Sequence, residues 1–270
     1  KILSITIFIF IKLLRGDVRL YGAKNLKKDF KSSQEMFILA SGETINKYCQ
    51  NDFDIIRKSD SIGVNFFIFH DFIPDFYLIE PHDNNLGYFN ELNHKKYKDI
   101  SVLYKGYASP KKLLKVASNI IKSQSTIKNF LVMKDAYQYK SIDSVTDSMS
   151  NKVLNLKYSD FFYNRIGSIL YTVYMSYKMG YKSVILCGFD MSSKYFYCTN
   201  MKYSIHAVKY GLCEVNKVNK IHNDDKRKDE IIKTLIFMNN KFKVERGGGV
   251  FVYTKDGLLS EYLPVFSPSR

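Results

Sequence analysis

The sequence has no tryptophan among its 270 residues and only four cysteines. These are Cys49, Cys187, Cys198 and Cys213, and no two of them form a CxxC pair. No cluster of cysteine and histidine has the spacing of a zinc site either, so the sequence argues against a structural metal. So few cysteines make a disulfide framework improbable, which predicts a reducing compartment, the cytoplasm. The chain also has no internal repeat, low-complexity tract or interdomain linker.

Aromatic residues and positive charge are abundant instead. The chain contains 21 Tyr and 20 Phe, and hydrophobic residues make up 46% of it, which is enough for a large folded core. Its formal net charge of +15 favours a polyanion, an acidic membrane surface or an anionic small substrate as partner. Nucleic acid is the weakest of the three, because the basic residues are spread along the chain and no RNA or DNA motif accompanies them.

The N-terminal residues combine an apolar run with basic residues. Residues 2–11 carry no charge, and several lysines and arginines follow them. The run is shorter than the roughly 20 residues that a membrane-spanning helix needs. Residues 1–14 are therefore a buried core element, an interfacial anchor or the end of a longer hydrophobic segment. Since basic residues favour anionic lipid headgroups, we predict a membrane-associating segment over residues 1–34 and a single folded domain over residues 35–270.

Short apolar runs alternate with helical periodicity along this domain. The pattern predicts an α/β fold, a mostly parallel sheet with helices on both faces. Gly180 is predicted to end a helix that opens at residues 165–168. Residues 191–221 are rich in Tyr, Lys and Asn without a clear period, which is typical of a lid. The predicted strands are residues 36–40, 61–65, 76–80, 102–104, 130–133, 183–187 and 250–253, and the predicted helical segments include residues 45–56 and 225–240.

Ser41 and Gly42 lie between a predicted buried strand and a helical segment. Such a turn presents backbone N–H groups to a phosphate in α/β folds. The turn is neither GxGxxG nor a P-loop, so turn geometry alone also explains the glycine. Asp52 and Asp54 form a DxD pattern, which we interpret as a solvated helix surface. The alternative function is a metal-using, pyrophosphokinase-like transferase in which these two carboxylates hold the metal.

Four segments of the chain together resemble glycosyltransferase family 42, the bacterial sialyltransferases. Ala40-Ser-Gly-Glu-Thr44 is similar to the family's Asn-Gly-Pro-Ser turn, and Val64-Asn-Phe-Phe67 is similar to its Cys-Asn-Gln-Phe segment. Residues 165–168, 179–182 and 186–190 resemble its Arg-Ile-Thr-Ser-Gly, Leu-Gly-Tyr-Lys and Leu-Cys-Gly-Ile-Asp segments. His222 stands where the family has Cys-His-Ser-Lys. The resemblance covers roughly residues 36–253.

The resemblance implies a Rossmann-like domain, a variant of the GT-A-like arrangement, with a lid at about residues 191–221. It implies transfer of sialic acid from CMP-sialic acid with inversion and with no metal or other cofactor. His222 is then the general base, a role for which the unshifted pKa of histidine is suited, and Arg165 lies near the reaction centre. The implied partners are a CMP-sugar donor, a glycan acceptor (lipooligosaccharide, capsule or O-antigen) and the inner membrane surface. Assembly of the chain into a homo-oligomer is also compatible with the resemblance. The implied donor-binding residues are Ser41, Gly42, Asn65, Ser168, Gly188, Phe189 and Ser192.

The chain departs from the family at two tyrosines, which here are Ser192 and Cys198. Without a metal, phenol O–H groups or cations must offset the charge on the leaving phosphate. Three nearby phenols, those of Tyr195, Tyr197 and Tyr203, are therefore predicted to do so. The altered lid fits a related nonulosonic acid, of the pseudaminic or legionaminic type, as well as sialic acid.

Overall fold

The computed structural model of the protein describes residues 18–21, 33–79, 100–105, 129–133, 167–192, 194–209, 211–212 and 225–268. Residues 1–17, His222 and Arg165 lie outside these ranges.

Eight described strands form one sheet in which every pair is parallel. In chain order the strands are β1 Val18–Tyr21, β2 Glu35–Leu39, β3 Asp60–Val64, β4 Phe76–Ile79, β5 Ser101–Lys105, β6 Asn129–Met133, β7 Ser183–Cys187 and β8 Gly249–Val252. Their order in the sheet is β1-β6-β5-β4-β3-β2-β7-β8, so the chain runs outward from β2 in one direction and later adds β7 and β8 on the other side. The topological switch point therefore lies between β2 and β7, where open α/β sheets bind ligands beyond the carboxyl ends of the strands.

Helices cover both faces of the sheet. Alternate side chains of a strand point to opposite faces, so Met36 and Ile38 belong to one buried cluster and Phe37 and Leu39 to the other. The described α-helices are α1 Gln50–Ile56, α2 Ser168–Met179, α3 Phe196–Thr199, α4 Met201–Lys209 and α5 Asp225–Arg246; 3-10 turns span Glu43–Lys47, Asn65–Phe69 and Leu258–Glu261. The first cluster includes residues of α2 and α5, and the second includes residues of α1, α3 and α4.

The sequence-based prediction of a parallel α/β sheet is confirmed. All seven predicted strands are present, and Gly180 ends α2 in the left-handed conformation, with φ 85°. Strand β1 was not predicted: it lies within the segment 1–34, and it forms an edge strand paired with β6. The predicted helical segment over residues 45–56 is a 3-10 turn followed by α1, with Cys49 as the N-cap of the helix.

The segment predicted to be an irregular lid differs from that expectation. Residues 196–209 form two helices, α3 and α4, and Phe196, Tyr197, Tyr203 and Ala207 are buried against the sheet. The interruption at Asn200 between α3 and α4 explains why no period was visible in the sequence.

Among the described cysteines, Cys49 and Cys187 are free thiols, and Cys198 is disulfide-bonded. A single bridge is not the disulfide framework that the low cysteine content makes improbable, so the reducing compartment stays a prediction. Within the described ranges, no helix is long and apolar enough to cross a bilayer.

Candidate active site

The carboxyl ends of β2 and β7 are joined directly by hydrogen bonds at the switch point. Ala40 N donates to Cys187 O at 2.8 Å, and Gly42 N donates to Gly188 O at 2.7 Å. Four predicted donor-binding residues, Ser41–Gly42 and Gly188–Phe189, therefore lie side by side where the fold places its ligand crevice.

Both glycines of this junction are required by their surroundings. A Cβ on Gly42 would lie 2.5 Å from Asp190 Oδ2 and 2.5 Å from Gly188 O. Gly188 has φ +65°, and a Cβ there would lie 2.4 Å from Ile45 Cγ1. Any larger residue must displace backbone or core atoms, so the two loops approach each other as closely as the chain allows.

Asp190 connects the same two loops through its side chain. Its carboxylate accepts a hydrogen bond from Thr44 N at 2.8 Å and a second from the Thr44 hydroxyl. Burial raises the pKa of Asp190, and the two bonds from Thr44 oppose that shift. The sequence reveals Asp190 only as part of a motif. Its role in joining the loops is not visible there, because its partner Thr44 lies 146 residues away.

Asn65 and Ser168 form a second part of the site, at the carboxyl end of β3. Asn65 has a positive φ of 52°, a conformation that asparagine tolerates better than most residues. Its Nδ2 donates to Ser168 Oγ at 3.1 Å, and Ser168 is the buried first residue of α2. Two predicted donor-binding residues from distant segments thus meet beside β2.

The other atom of the Asn65 amide has no hydrogen bond. Its Oδ1 is buried, and no partner for it exists among the described residues. A buried unpaired acceptor costs about 1–3 kcal/mol, so native proteins seldom keep one without a reason. An N–H or O–H group of a bound ligand would satisfy it.

The three tyrosines occupy different positions. Tyr195 forms an antiparallel bridge with Gly42, and Phe196 N donates to Ser41 O at 3.1 Å, so Tyr195 is half-buried beside the junction of β2 and β7. Tyr197 stacks on Tyr195 with ring centroids 5.2 Å apart, and it is buried against Phe66 and Phe69. Burial raises the pKa of the Tyr197 phenol well above its usual value.

Tyr203 lines a separate cavity of about 300 Å³ together with Phe53, Arg57 and Phe72. Its ring centroid lies 5.0 Å from that of His70, and burial raises the pKa of its phenol. Of the three candidates, Tyr195 is therefore the one whose backbone bridges the turn that holds Ser41 and Gly42.

The fold of the chain resembles that of the sialyltransferase CstII. Two solved structures of CstII from Campylobacter jejuni match it. One, in complex with the substrate analogue CMP-3FNeuAc, is 15% identical, covers 86% of this chain and 85% of that one, and gives a TM-score of 0.50. The other, in complex with cytidine-5'-monophosphate, is 15% identical, covers 87% and 86%, and gives 0.52. No protein-family model and no curated protein matches the chain.

At the junction itself, the Phe189 side chain is half-buried against the cluster that contains α2 and α5. The remaining predicted residues are exposed or lie outside the described ranges. Ser192 is exposed, and its Oγ accepts a hydrogen bond from Lys194 N at 3.3 Å. The predicted catalytic residues His222 and Arg165 lie outside the description, so their positions stay predictions.

Asp52 and Asp54 serve helix α1. Asp52 accepts hydrogen bonds from Cys49 N at 2.7 Å and from Tyr253 OH at 2.8 Å. These bonds hold its pKa below the usual value although burial raises it. Asp54 pairs with Arg57 at 3.1 Å. Both carboxylates thus have structural partners on the helix and its neighbours, and the described residues contain no cluster of three or more potential metal ligands.

Proposed function

We propose that the protein is an inverting, metal-independent glycosyltransferase. It moves a sialic acid or a related nonulosonic acid from a CMP-sugar to a hydroxyl group of a bacterial surface glycan. The acceptor is part of a lipooligosaccharide, capsule or O-antigen, and the enzyme works in the cytoplasm at the inner membrane surface, with residues 1–34 contributing to its attachment.

One observation carries the donor proposal. Residues that the family resemblance assigns to the donor come together at the carboxyl ends of β2, β3 and β7, and the fold likeness is to a protein solved with CMP and with a CMP-sugar analogue. The buried Oδ1 of Asn65 adds an acceptor that lacks a donor, which a nucleotide amino group or a hydroxyl group would supply.

The proposed reaction divides between two groups of residues. The turn of Ser41–Gly42 and the loop of Gly188–Phe189 flank the nucleotide, and Asn65 with Ser168 holds the donor from the β3 side. The acceptor oxygen attacks the anomeric carbon while the bond from that carbon to the CMP phosphate breaks, and the acceptor proton passes to His222.

The leaving phosphate gains negative charge in this step. The phenol of Tyr195, a residue whose backbone bridges Gly42, and the Arg165 guanidinium offset it, as donors aimed at developing charge do in other enzymes. The other two phenols predicted for this role, those of Tyr197 and Tyr203, are buried. Tyr195 is therefore the first candidate.

A thermal-shift screen tests the donor class. A ligand that binds only the folded state raises the melting temperature by linkage, so we expect CMP and CDP to stabilise the protein and UDP and GDP to leave it unchanged. A shift with UDP or GDP alone would overturn the donor assignment.

Two further measurements separate binding from chemistry. His222→Ala should keep the CMP shift and lose transfer, because the base acts on the acceptor and not on the nucleotide. Transfer should persist in EDTA; activity that EDTA abolishes and Mn²⁺ or Mg²⁺ restores would favour the pyrophosphokinase-like alternative.

A further inference from the structure

Lys194 is a neighbour of Glu43 at the turn that holds Ser41 and Gly42. The antiparallel bridge between Tyr195 and Gly42 places Lys194, one residue before Tyr195, across from Glu43, one residue after Gly42. The Lys194 ammonium lies 3.9 Å from a Glu43 carboxylate oxygen, and the two side chains are 68% and 39% exposed. A cation therefore stands next to the turn that is proposed to flank the nucleotide.

Hydrogen bonds hold the backbone on both sides of Lys194. Before it, Ser192 Oγ accepts a hydrogen bond from Lys194 N at 3.3 Å. After it, Phe196 N donates to Ser41 O at 3.1 Å. The side chain, by contrast, is a flexible four-carbon stem that ends in an exposed ammonium group. The ammonium can therefore exchange partners beside the turn while the backbone that carries it stays in place.

A second lysine near the same turn, Lys47, is held more closely by its partner. Its ammonium lies 2.9 Å from Asp256 Oδ2, and that hydrogen bond raises the pKa of Lys47. The contact between Lys194 and Glu43, at 3.9 Å, is too long for a hydrogen bond, and exposed ion pairs of this kind contribute little to stability. Of these two lysines, Lys194 is therefore the one that an anionic ligand recruits at little cost.

We propose that Lys194 is a further phosphate-binding residue of this site: its ammonium leaves Glu43 and pairs with the phosphate of the CMP-sugar donor. An ammonium group binds phosphate as a compact point charge, and this attraction increases as the phosphate gains negative charge on leaving. The assignment rests on the proposed function, which supplies the donor. Glu43 then acts as a competitor, because its carboxylate holds the ammonium until the phosphate replaces it.

Two variants that each remove one charge should act in opposite directions. Lys194→Gln removes the cation, and we expect the Kd for CMP to rise about tenfold, the effect of one hydrogen bond to a charged group. Glu43→Gln removes the competitor, so CMP should bind it more tightly than the native chain. The matched control is Lys58→Gln, which removes an exposed lysine at the opposite edge of the sheet, before β3, and should leave the Kd unchanged.

Titration calorimetry of the full chains with CMP and with cytidine, which lacks the phosphate, measures these effects. Cytidine should bind Lys194→Gln and the native chain alike, and the loss of CMP affinity should shrink as salt rises. Weaker CMP binding in both Lys194→Gln and Glu43→Gln, as a merely structural ion pair predicts, or an equal loss for cytidine would overturn the assignment.

The native chain separates this assignment from the proposed function. If CMP binds the native chain and Lys194→Gln with the same Kd, the assignment of Lys194 is wrong and the proposed donor stands. If the native chain binds no CMP, the proposed donor is wrong and the assignment of Lys194 falls with it.

Discussion

Two ends of strands in the same sheet differ in how completely their polar groups are satisfied. At β2 and β7, Gly42 bonds to Gly188 and Asp190 bonds twice to Thr44, so the loops hold each other. At β3, Asn65 makes one bond to Ser168 and keeps a buried oxygen without a partner among the described residues. We infer a division of labour: the loops at β2 and β7 form the rigid framework that flanks the proposed nucleotide, and the end of β3 offers an acceptor that a ligand would satisfy.

The largest effect should come from breaking the framework. Gly188→Ala forces a Cβ to 2.4 Å from Ile45 at φ +65°. Left-handed backbone costs an L-residue about 1–2 kcal/mol, and overpacking adds about 1–3 kcal/mol. We therefore expect the free energy of unfolding, measured in urea, to fall by about 3 kcal/mol.

Gly247→Ala is the matched control for this experiment. Gly247 has nearly the same φ, +64°, but its Cβ would find only Lys182 Cε, at 3.9 Å. It should lose about 1 kcal/mol from the backbone alone. Equal losses in the two variants would mean that the two loops are not closely packed.

The second prediction sharpens the ligand side of the comparison. Asn65→Gly removes the amide and keeps a residue that adopts φ +52° without strain. Because the lost side chain contributed an unpaired oxygen, the free energy of unfolding should change by less than about 1 kcal/mol. The Kd for CMP should nevertheless rise at least about tenfold, which corresponds to a loss of about 1.4 kcal/mol in binding free energy.

Ser168→Ala provides a comparison for Asn65→Gly. It removes the bonding partner of Asn65 Nδ2 and leaves the amide present, so it should weaken CMP binding less. If Asn65→Gly destabilises the fold strongly and leaves CMP binding intact, Asn65 belongs to the framework and the division is wrong.

The difference between the two regions also separates what the sequence could reveal from what it could not. Continuous apolar runs such as residues 183–187 are typical of buried parallel strands, and for that reason the sheet was predictable. Strand β1 was not, because its four residues, Val18–Tyr21, include Arg19 and form no apolar run. Helices α3 and α4 were missed because buried aromatics are interleaved with lysine and asparagine.

The turns of the candidate site were predictable from the sequence, but the contacts between distant residues were not. The family resemblance identified Ser41–Gly42 and Gly188 from their motifs. The bond between Thr44 and Asp190 joins residues 146 apart, and no local pattern reports such a distance. The unpaired oxygen of Asn65 depends on burial and on a positive φ, which exist only in the folded chain.

A third prediction concerns the tyrosines. Tyr195→Phe removes the phenol of the residue that bridges Gly42, and we expect transfer to slow about tenfold or more with little change in CMP affinity, since the phenol acts on developing charge. Tyr203→Phe, in the separate cavity, should leave the rate unchanged. A rate loss confined to Tyr203→Phe would assign the leaving-group role to Tyr203 and its cavity.

The smallest effect, and the most specific to the framework, is the pH dependence of Asp190. Its raised pKa means that the folded protein binds this proton more tightly than the unfolded chain. The free energy of unfolding therefore falls as pH rises from the ordinary aspartate pKa, near 4, through the raised value, and the loss is complete above it. Asp190→Asn removes this dependence. Relative to the native chain, the free energy of unfolding of the variant should therefore be lowest at low pH and highest near neutrality.

Thr44→Val tests the cause of that shift. It removes the hydroxyl donor and keeps the shape of the side chain, so one hydrogen bond fewer opposes the effect of burial and the pKa of Asp190 rises further. The fall in the free energy of unfolding with pH should therefore steepen. Urea unfolding of the three proteins between about pH 4 and pH 7 measures the slopes. Glu43 and Lys47 also act on Asp190, but both remain in every variant and cancel in the differences. Parallel slopes would show that Asp190 titrates alike in the folded and unfolded chains, and the framework would then be held by its glycines and backbone bonds alone.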